Sequence, residues 1–192
     1  MKNKLTIKDF ESNGYFAGQE LVDIVNASLF LNKPILIEGP AGTGKTYLAK
    51  TLSKIFKTQL IRLQCHEGID EDKALYEWNY KKQLLSIQTE QDSKNLFTEE
   101  FLIERPILQS LRSDEKSIFL VDEIDRSDEE FEALLLEVLA ENQVSIPELG
   151  TITSKNDNLT VLTSNATREL SEALRRRCLY FYLDYPSVDI ET

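Results

Sequence analysis

The sequence predicts an α/β fold in which a parallel sheet carries helices on its faces. Its 192 residues suit one domain with a full core. Strand-like apolar runs alternate along the chain with apolar residues at helical spacing, as in parallel sheets. A glycine-rich loop also follows the first apolar run directly and precedes a helical pattern. The five predicted strands cover residues 34–38, 59–64, 118–121, 159–163 and 178–183.

Helical spacing of apolar residues predicts helices over residues 18–31, 46–56 and 131–139. Two other stretches do not fit a minimal five-strand unit, and we interpret them as insertions that decorate the sheet. Residues 66–96 are polar and aromatic, with a short hairpin as the candidate structure of residues 83–88. The pattern of residues 142–154 predicts a β-hairpin, because two short apolar strands flank a turn around Pro147 and Gly150.

Composition and charge narrow the classes of function. The chain has 22 Lys and Arg against 33 Asp and Glu, a net charge of −11, which argues against an extended nucleic-acid surface. No apolar window has the length of a membrane span, and the first residues lack a signal-peptide pattern, so we expect a cytoplasmic protein. In that setting Cys65 and Cys178 are expected to be reduced and buried.

The glycine-rich loop matches the pattern G-x-x-x-x-G-K-[ST], which holds the phosphates of a nucleoside triphosphate. Its glycines let backbone N–H groups point inward, and the following helix contributes its positive dipole end. Lys45 can reach the β and γ phosphates, and the Thr46 hydroxyl can ligate Mg²⁺, so the expected cofactors are ATP and Mg²⁺. The candidate nucleotide-binding residues of this segment are Gly39, Pro40, Ala41, Gly42, Thr43, Gly44, Lys45, Thr46 and Tyr47.

The third predicted strand ends in two carboxylates, Asp122 and Glu123. In phosphate-loop enzymes an Asp at this place holds magnesium through water, which assigns Asp122 to the metal together with Thr46. The adjacent Glu123 is placed to polarise the attacking water as a catalytic residue. The alternative is a solvated acidic start of the next helix, which the carboxylates after Glu123 support.

Two further polar features follow. Asn165 comes directly after the fourth strand, where its amide could orient the water, although asparagine is also common in turns at strand ends. The run Arg175-Arg176-Arg177 precedes the fifth strand. An arginine supplied in trans stabilises the charge that develops in phosphoryl transfer, whereas the alternative for this run is a solvated basic turn.

Taken in order, these elements resemble those of the AAA+ ATPases: Walker A at 39–46, Walker B at 117–123, sensor 1 at Asn165 and an arginine-finger segment at 171–178. Three narrower stretches, residues 62–65, 74–80 and 144–150, resemble the MoxR family, particularly its CoxD-like branch. This resemblance implies a three-layer α/β/α core with strand order 5-1-4-3-2. It also implies an insertion in the second helix and a hairpin before sensor 1.

The resemblance also implies roles for individual residues. Arg177 is the expected arginine finger, with Arg176 as the second choice, and Lys45 and Asn165 join Glu123 in catalysis. Gln64 matches a position that restrains the catalytic glutamate. Tyr15, Phe16, Ala17 and Gly18 lie where the family's chain passes the adenine, and the first three are the candidate nucleotide-binding residues there. The family forms hexameric rings with ATP between subunits, and its helical lid is missing from these 192 residues. We therefore expect residues 1–192 to be the large ATPase domain of a truncated form.

Three functions remain open at this point. The first is the ATPase core of a MoxR-type remodelling chaperone, which would act with a von Willebrand factor A domain partner to mature a client metalloenzyme or complex. The second is an ATP-dependent nucleic-acid motor, which the acidic charge disfavours. The third is a nucleotide-binding module with little activity, or a small-molecule kinase. Without the lid, slow turnover and a monomer in dilute solution are expected, and the client stays unidentified.

Overall fold

The structure, a computed structural model, describes residues 4–89 and 95–185. Among these residues the strands are, in chain order, β1 (Ile35–Glu38), β2 (Leu60–Gln64), β3 (Tyr76–Trp78), β4 (Leu102–Glu104), β5 (Ile118–Asp122), β6 (Gln143–Ile146), β7 (Gly150–Thr153), β8 (Leu159–Ser164) and β9 (Leu179–Tyr182). The helices are α1 (Ile7–Glu11), α2 (Gln19–Leu31), α3 (Lys45–Phe56), α4 (Glu71–Ala74), α5 (Tyr80–Thr89), α6 (Pro106–Arg112), α7 (Glu129–Glu141) and α8 (Glu172–Arg177). Short 3₁₀ turns cover Glu99–Phe101 and Ile124–Arg126.

The central sheet has five parallel strands in the order β9-β1-β8-β5-β2. Counted in chain order within this sheet alone, that order reads 5-1-4-3-2. The predicted α/β class is confirmed, and each of the five predicted strands is present with bounds that differ by one or two residues. The carboxyl ends of all five strands meet at one edge of the sheet, which is where parallel sheets place their ligand sites.

Alternation along the strands builds a core on each face of the sheet. Leu36 packs into one apolar cluster with residues of α6 and α7, whereas Ile35 and Ile37 pack into a second cluster with residues of α2 and α3. Successive side chains of a strand point to opposite faces, so β1 is buried from both sides. The result is the predicted three-layer α/β/α arrangement.

Both insertions lie beside the sheet, but one of them differs from its prediction. Residues 142–154 form the predicted hairpin, with β6 and β7 paired antiparallel. The predicted hairpin at residues 83–88 is wrong, because helix α5 covers these residues. Asn79 starts this helix, since its Oδ1 accepts a hydrogen bond from the Lys82 N–H at 3.0 Å. Residues 80–89 also contain no Gly, Pro, Asn or Asp that would favour a tight turn.

Both cysteines are free and buried, which confirms the prediction of reduced thiols. Burial raises the pKa of Cys65 and of Cys178 to about 12 each, so neither is a reactive thiolate near neutral pH. Within the described ranges, no helix combines the length and the apolar character needed to span a bilayer.

Candidate nucleotide-binding site

The phosphate loop connects the carboxyl end of β1 to the amino end of α3, and neighbouring strands fix where it starts. Gly39 N donates to Ser164 O at 3.2 Å, and Leu183 N donates to Glu38 O at 2.7 Å. The last residues of β8 and the residues after β9 therefore hold the loop from both sides. Tyr185 adds a third contact, because its hydroxyl donates to Ala41 O at 3.1 Å.

Gly39 lies in a very close backbone approach. A Cβ on this residue would lie 2.0 Å from the Leu183 carbonyl oxygen, a backbone atom that cannot rotate away. We expect Gly39→Ala to lower the free energy of unfolding by at least about 2 kcal/mol, because the loop and the segment after β9 must separate. Urea unfolding measures this difference. The matched control is Gly18→Ala, since nothing lies within 4 Å of a Cβ there. Equal stabilities of the two variants would contradict the close approach.

Lys45 is buried and spans the loop. Its Nζ donates to Gly39 O and to Pro40 O, both at 2.6 Å. An ammonium group has three donors, so one remains to reach a phosphate oxygen. Burial lowers the pKa of Lys45, and the nearby carboxylates of Asp125, Asp122 and Glu123 oppose that shift.

Asp122 ends β5 and accepts hydrogen bonds on both carboxylate oxygens. Its Oδ1 accepts from Thr46 Oγ1 at 2.9 Å and from Thr163 Oγ1 at 2.5 Å. Its Oδ2 accepts from Arg62 Nε at 3.0 Å and Nη2 at 2.6 Å. Only 2% of the Asp122 side chain is exposed, so these donors replace the water that the carboxylate loses on burial.

Thr46 and Asp122 fit a Mg²⁺ ion. Because the Thr46 hydroxyl donates its proton to Asp122 Oδ1, its lone pairs stay available for a cation. Mg²⁺ is usually held by one or two protein oxygens together with phosphate oxygens and water. In residues 4–89 and 95–185 no group of three or more His, Cys, Asp or Glu side chains is arranged around a metal position. Thr46 and Asp122 would be the protein's contribution to a magnesium site, with the nucleotide supplying phosphate oxygens.

Glu123 follows β5 in a left-handed backbone conformation, with φ 56° and ψ 49°. Its N–H donates to Thr163 Oγ1 at 2.9 Å, which fixes the turn. Its side-chain Oε2 accepts from Gln64 Nε2 at 3.0 Å and from Arg126 Nη1 at 3.1 Å. Gln64 therefore contacts Glu123, and its restraining role in catalysis stays a prediction.

Asn165 follows β8 and is positioned through its backbone. Its N–H donates to Asp125 Oδ1 at 3.2 Å, while Thr167 donates to Asp125 Oδ2 from its N–H at 3.0 Å and from its hydroxyl at 2.6 Å. Burial raises the pKa of Asp125, but the hydrogen bonds from Thr167 and Asn165 outweigh burial, and the pKa is lowered. A charged Asp125 thereby ties the turn after β5 to the turn after β8.

Residues of the phosphate loop, of the acidic pair after β5 and of the end of β8 line a cavity of about 330 Å³ at the carboxyl edge of the sheet. Its lining residues are Ala41, Gly42, Gly44, Lys45, Thr46, Tyr47, Lys50, Asp122, Glu123, Thr163 and Asn165. A larger cavity of about 510 Å³ adjoins Asp125 and Arg168, but none of its lining residues belongs to the phosphate loop. The smaller cavity is therefore the candidate nucleotide site.

The residues predicted to pass the adenine do not line this cavity. Tyr15 is buried, and its ring stacks on Tyr47 with centroids 6.1 Å apart, while burial raises its pKa to about 12. Ala17 is also buried, whereas 77% of Phe16 is exposed. Tyr15 therefore lies behind two lining residues, Tyr47 and Gly44, and the adenine contact of residues 15–17 stays a prediction.

The arginine run lies at the opposite edge of the sheet. Leu179, which follows α8 after Cys178, donates to Pro34 O at 2.8 Å, so β9 starts beside the start of β1. Arg177 is not free to reach outward, because its Nη2 donates to Leu139 O at 3.1 Å and to Ala140 O at 2.5 Å, at the end of α7. Arg176 pairs only with Glu172 among the described contacts, and 77% of its side chain is exposed.

Three residues of the site were not among those predicted from the sequence. Thr163 bonds both Asp122 and Glu123, but only the register of β5 against β8 reveals it. Arg62 does carry a sequence signal, because it is a charged residue within a strand and lies two positions from Gln64, on the same face of the sheet. Lys50 lines the cavity one helical turn after Thr46, which the spacing could have shown.

A parallel sheet with a glycine-rich loop between β1 and α3, and with an acidic pair at the end of β5, defines a phosphate-loop nucleoside-triphosphate-binding core. Residues 34–178 match the model of the AAA domain, dynein-related subfamily. Because the match spans more than half of the chain, the chain belongs to this family of AAA+ ATPase domains.

Two sequence relatives and one solved structure are similar to this chain, and the solved structure shares its fold. An uncharacterized protein of Staphylococcus epidermidis is 28% identical over 178 residues, 90% of this chain and 63% of that protein. One of Staphylococcus haemolyticus is 29% identical over 185 residues, 93% of this chain and 66% of that protein. A crystal structure of a candidate ATPase from Cytophaga hutchinsonii covers 96% of this chain and 52% of its own, with TM-score 0.67 and 20% identity. The chain thus spans less than two thirds of these relatives.

Proposed function

We propose that this chain binds ATP with Mg²⁺ and hydrolyses ATP to ADP and phosphate, as the large domain of an AAA+ ATPase. The observation that carries the proposal is that one cavity brings together Lys45, Thr46, Asp122, Glu123 and Asn165. These residues come from three separate segments, and the sheet places all three at its carboxyl edge. Stability of the fold does not by itself require that a buried lysine and two carboxylates line the same cavity.

Each residue has a distinct role in this reaction. The loop and Lys45 bind the phosphates, and Thr46 with Asp122 would hold the magnesium, which supplies charge neutralisation when it is bound. Glu123 lines the cavity and accepts the proton of the attacking water on Oε1, because the described hydrogen bonds from Gln64 and Arg126 both go to Oε2. The Asn165 amide orients that water.

The arginine run supports action between subunits. Along β1, the amino-end and carboxyl-end edges of the sheet are about 10 Å apart, because the strand's four residues span three rises. The arginine run lies at the amino-end edge, whereas the phosphate loop of the same chain lies at the carboxyl-end edge. A ring in which one subunit's run meets the next subunit's cavity would bring them together. Arg176 is better placed than Arg177 for that role, because Arg177 already bonds two carbonyls of α7.

At a protein concentration at which the chain sediments as an oligomer, we expect Arg176→Ala to lower Mg²⁺-dependent phosphate release at least about 100-fold with an unchanged melting temperature. Arg177→Ala should instead lower the melting temperature, because the end of α7 loses its donor. Mixing Arg176→Ala with Glu123→Gln in equal amounts tests action in trans. About a quarter of random interfaces then join an intact site to an intact arginine, so activity should recover towards that share. No recovery in a mixture that sediments as an oligomer would contradict this proposal.

We also propose a MoxR-type remodelling role, with a hexameric ring, a von Willebrand factor A domain partner and a client metalloenzyme or complex. What supports it is the resemblance of residues 62–65, 74–80 and 144–150, which fall on the end of β2, on α4 with β3 and on the β6–β7 hairpin. The net charge of −11 disfavours a nucleic-acid motor. A cytoplasmic location stays a prediction.

A further inference from the structure

Arg62 holds the buried carboxylate at the predicted metal position. Its Nε and Nη2 donate to Asp122 Oδ2 at 3.0 and 2.6 Å, while Thr46 and Thr163 bond Oδ1. The neutral hydroxyls leave the charge of Asp122 in place, whereas the guanidinium neutralises it. With 45% of its side chain exposed, Arg62 has open space into which it can turn away.

The same guanidinium contacts a second residue of the site. Arg62 Nη2 also donates to Gln64 Oε1, and Gln64 Nε2 donates to Glu123 Oε2 at 3.0 Å. A guanidinium can only donate and a carboxylate can only accept, so the orientation of the Gln64 amide between them is fixed. One arginine thus connects the metal carboxylate to the catalytic carboxylate.

We propose that Arg62 is a positioning residue that competes with the divalent cation for Asp122 and releases Glu123 when the cation displaces it. The inference rests on the proposed function. A magnesium ion held by Thr46 and by Asp122 would need the negative charge of the Asp122 carboxylate. The Arg62 guanidinium repels such an ion and already occupies Asp122 Oδ2. Once Arg62 leaves Asp122, Gln64 loses the donor that fixes its amide, and Glu123 is less restrained.

This arrangement has a thermodynamic consequence that does not depend on turnover. If Arg62 opposes the metal, the factor by which Mg²⁺ strengthens nucleotide binding must increase when the positive charge is removed. Without metal, an uncompensated Asp122 repels the phosphates, which increases the same factor further. The ratio of the Kd in EDTA to the Kd in saturating Mg²⁺ therefore reports how strongly the Arg62 charge opposes the joint binding of metal and nucleotide.

The experiment measures that ratio with a fluorescent ATP analogue on the full chain. Arg62→Gln is expected to raise the ratio at least about fivefold, and Arg62→Lys, which keeps the charge, should stay within about twofold of the original protein. Arg105→Gln is the matched control, because Arg105 pairs with Glu77 at a similar exposure outside the cavity, and it should leave the ratio unchanged. An unchanged or smaller ratio for Arg62→Gln overturns the competition.

Gln64→Ala tests the connection to Glu123. Removing Gln64 removes one partner that holds Arg62 in place, so the ratio should rise about twofold in the original protein and not at all in Arg62→Gln. Equal effects of Gln64→Ala in both backgrounds would overturn the connection, because the two residues would then act independently.

A second measurement covers the case in which Arg62→Gln does not fold. In the original protein with the ATP analogue bound, the NMR signal of the Arg62 Nε–H group, assigned with Arg62→Lys, should shift when Mg²⁺ is added, while that of Arg105 should not. A signal that Mg²⁺ leaves unchanged overturns the proposal.

If the original protein binds no ATP analogue in either condition, the proposed function fails as well. If it binds with a Mg²⁺ preference that ignores Arg62, only this inference fails.

Discussion

Replacing Glu123 by glutamine is expected to lower the rate of ATP hydrolysis roughly 100- to 1000-fold, while ATP binding stays within a few-fold of the original affinity. The amide cannot accept the proton of the attacking water, but it has nearly the size of the carboxylate. Its backbone bond to Thr163 Oγ1 and its place beside Gln64 are retained. Phosphate release and titration with a labelled ATP analogue measure the two effects separately.

The control for this variant is Glu130→Gln, the same chemical change at an exposed residue in the first turn of α7. It should hydrolyse ATP at the original rate, since Glu130 is not among the residues that line the cavity. Substantial residual turnover in Glu123→Gln would mean that another group activates the water. In that case the assignment of Glu123 as the general base would be incorrect.

Replacing Lys45 by methionine is expected to weaken ATP binding about 30- to 150-fold, because a charge-assisted hydrogen bond to phosphate contributes about 2 to 3 kcal/mol. The melting temperature should change little. Methionine loses the bonds of Lys45 Nζ to Gly39 O and Pro40 O, but it fills a similar volume and avoids the cost of burying an ammonium, so the two effects oppose each other. Calorimetric titration with ATP and a thermal melt test the two halves of the expectation.

Lys54→Met is the comparison on the same helix. The Lys54 ammonium lies over the Tyr47 ring at 5.5 Å, outside the cavity lining, and its loss should change ATP affinity by less than about threefold. If the two variants bind ATP equally well, the phosphates do not contact Lys45. If Lys45→Met is unfolded at room temperature, the main role of Lys45 is to stabilise the phosphate loop and not to bind the phosphates.

The parts of the fold that sequence alone predicted are those whose signal is local. Buried strands such as β1 and β5 are short continuous apolar runs, and α3 shows helical spacing, so no distant contact was needed to find them. Helix α5 was missed because four of its apolar side chains remain exposed, which blurs the pattern that burial normally imposes. The order of the strands followed from resemblance, since no local pattern encodes which strands become neighbours.

The same distinction explains what was found of the site. Lys45 with Thr46, and Asp122 with Glu123, are adjacent in sequence, so each pair could be predicted from its own segment. Thr163 could not, because its bonds to Asp122 and Glu123 exist only through the register between two strands. The bonds of Arg177 to the end of α7 likewise depend on how α8 packs against it.

The left-handed backbone conformation of Glu123 lowers the stability of the fold at a residue whose side chain the proposed hydrolysis requires. A glutamate with φ near 56° costs about 1 kcal/mol or more compared with glycine, which adopts this conformation freely. The carboxylate is nevertheless held there by the turn that aims it into the cavity. An engineering screen for heat-resistant chains would therefore favour glycine at residue 123 and return proteins that hold ATP without cleaving it. Consensus stabilisation of this domain should leave that residue unaltered.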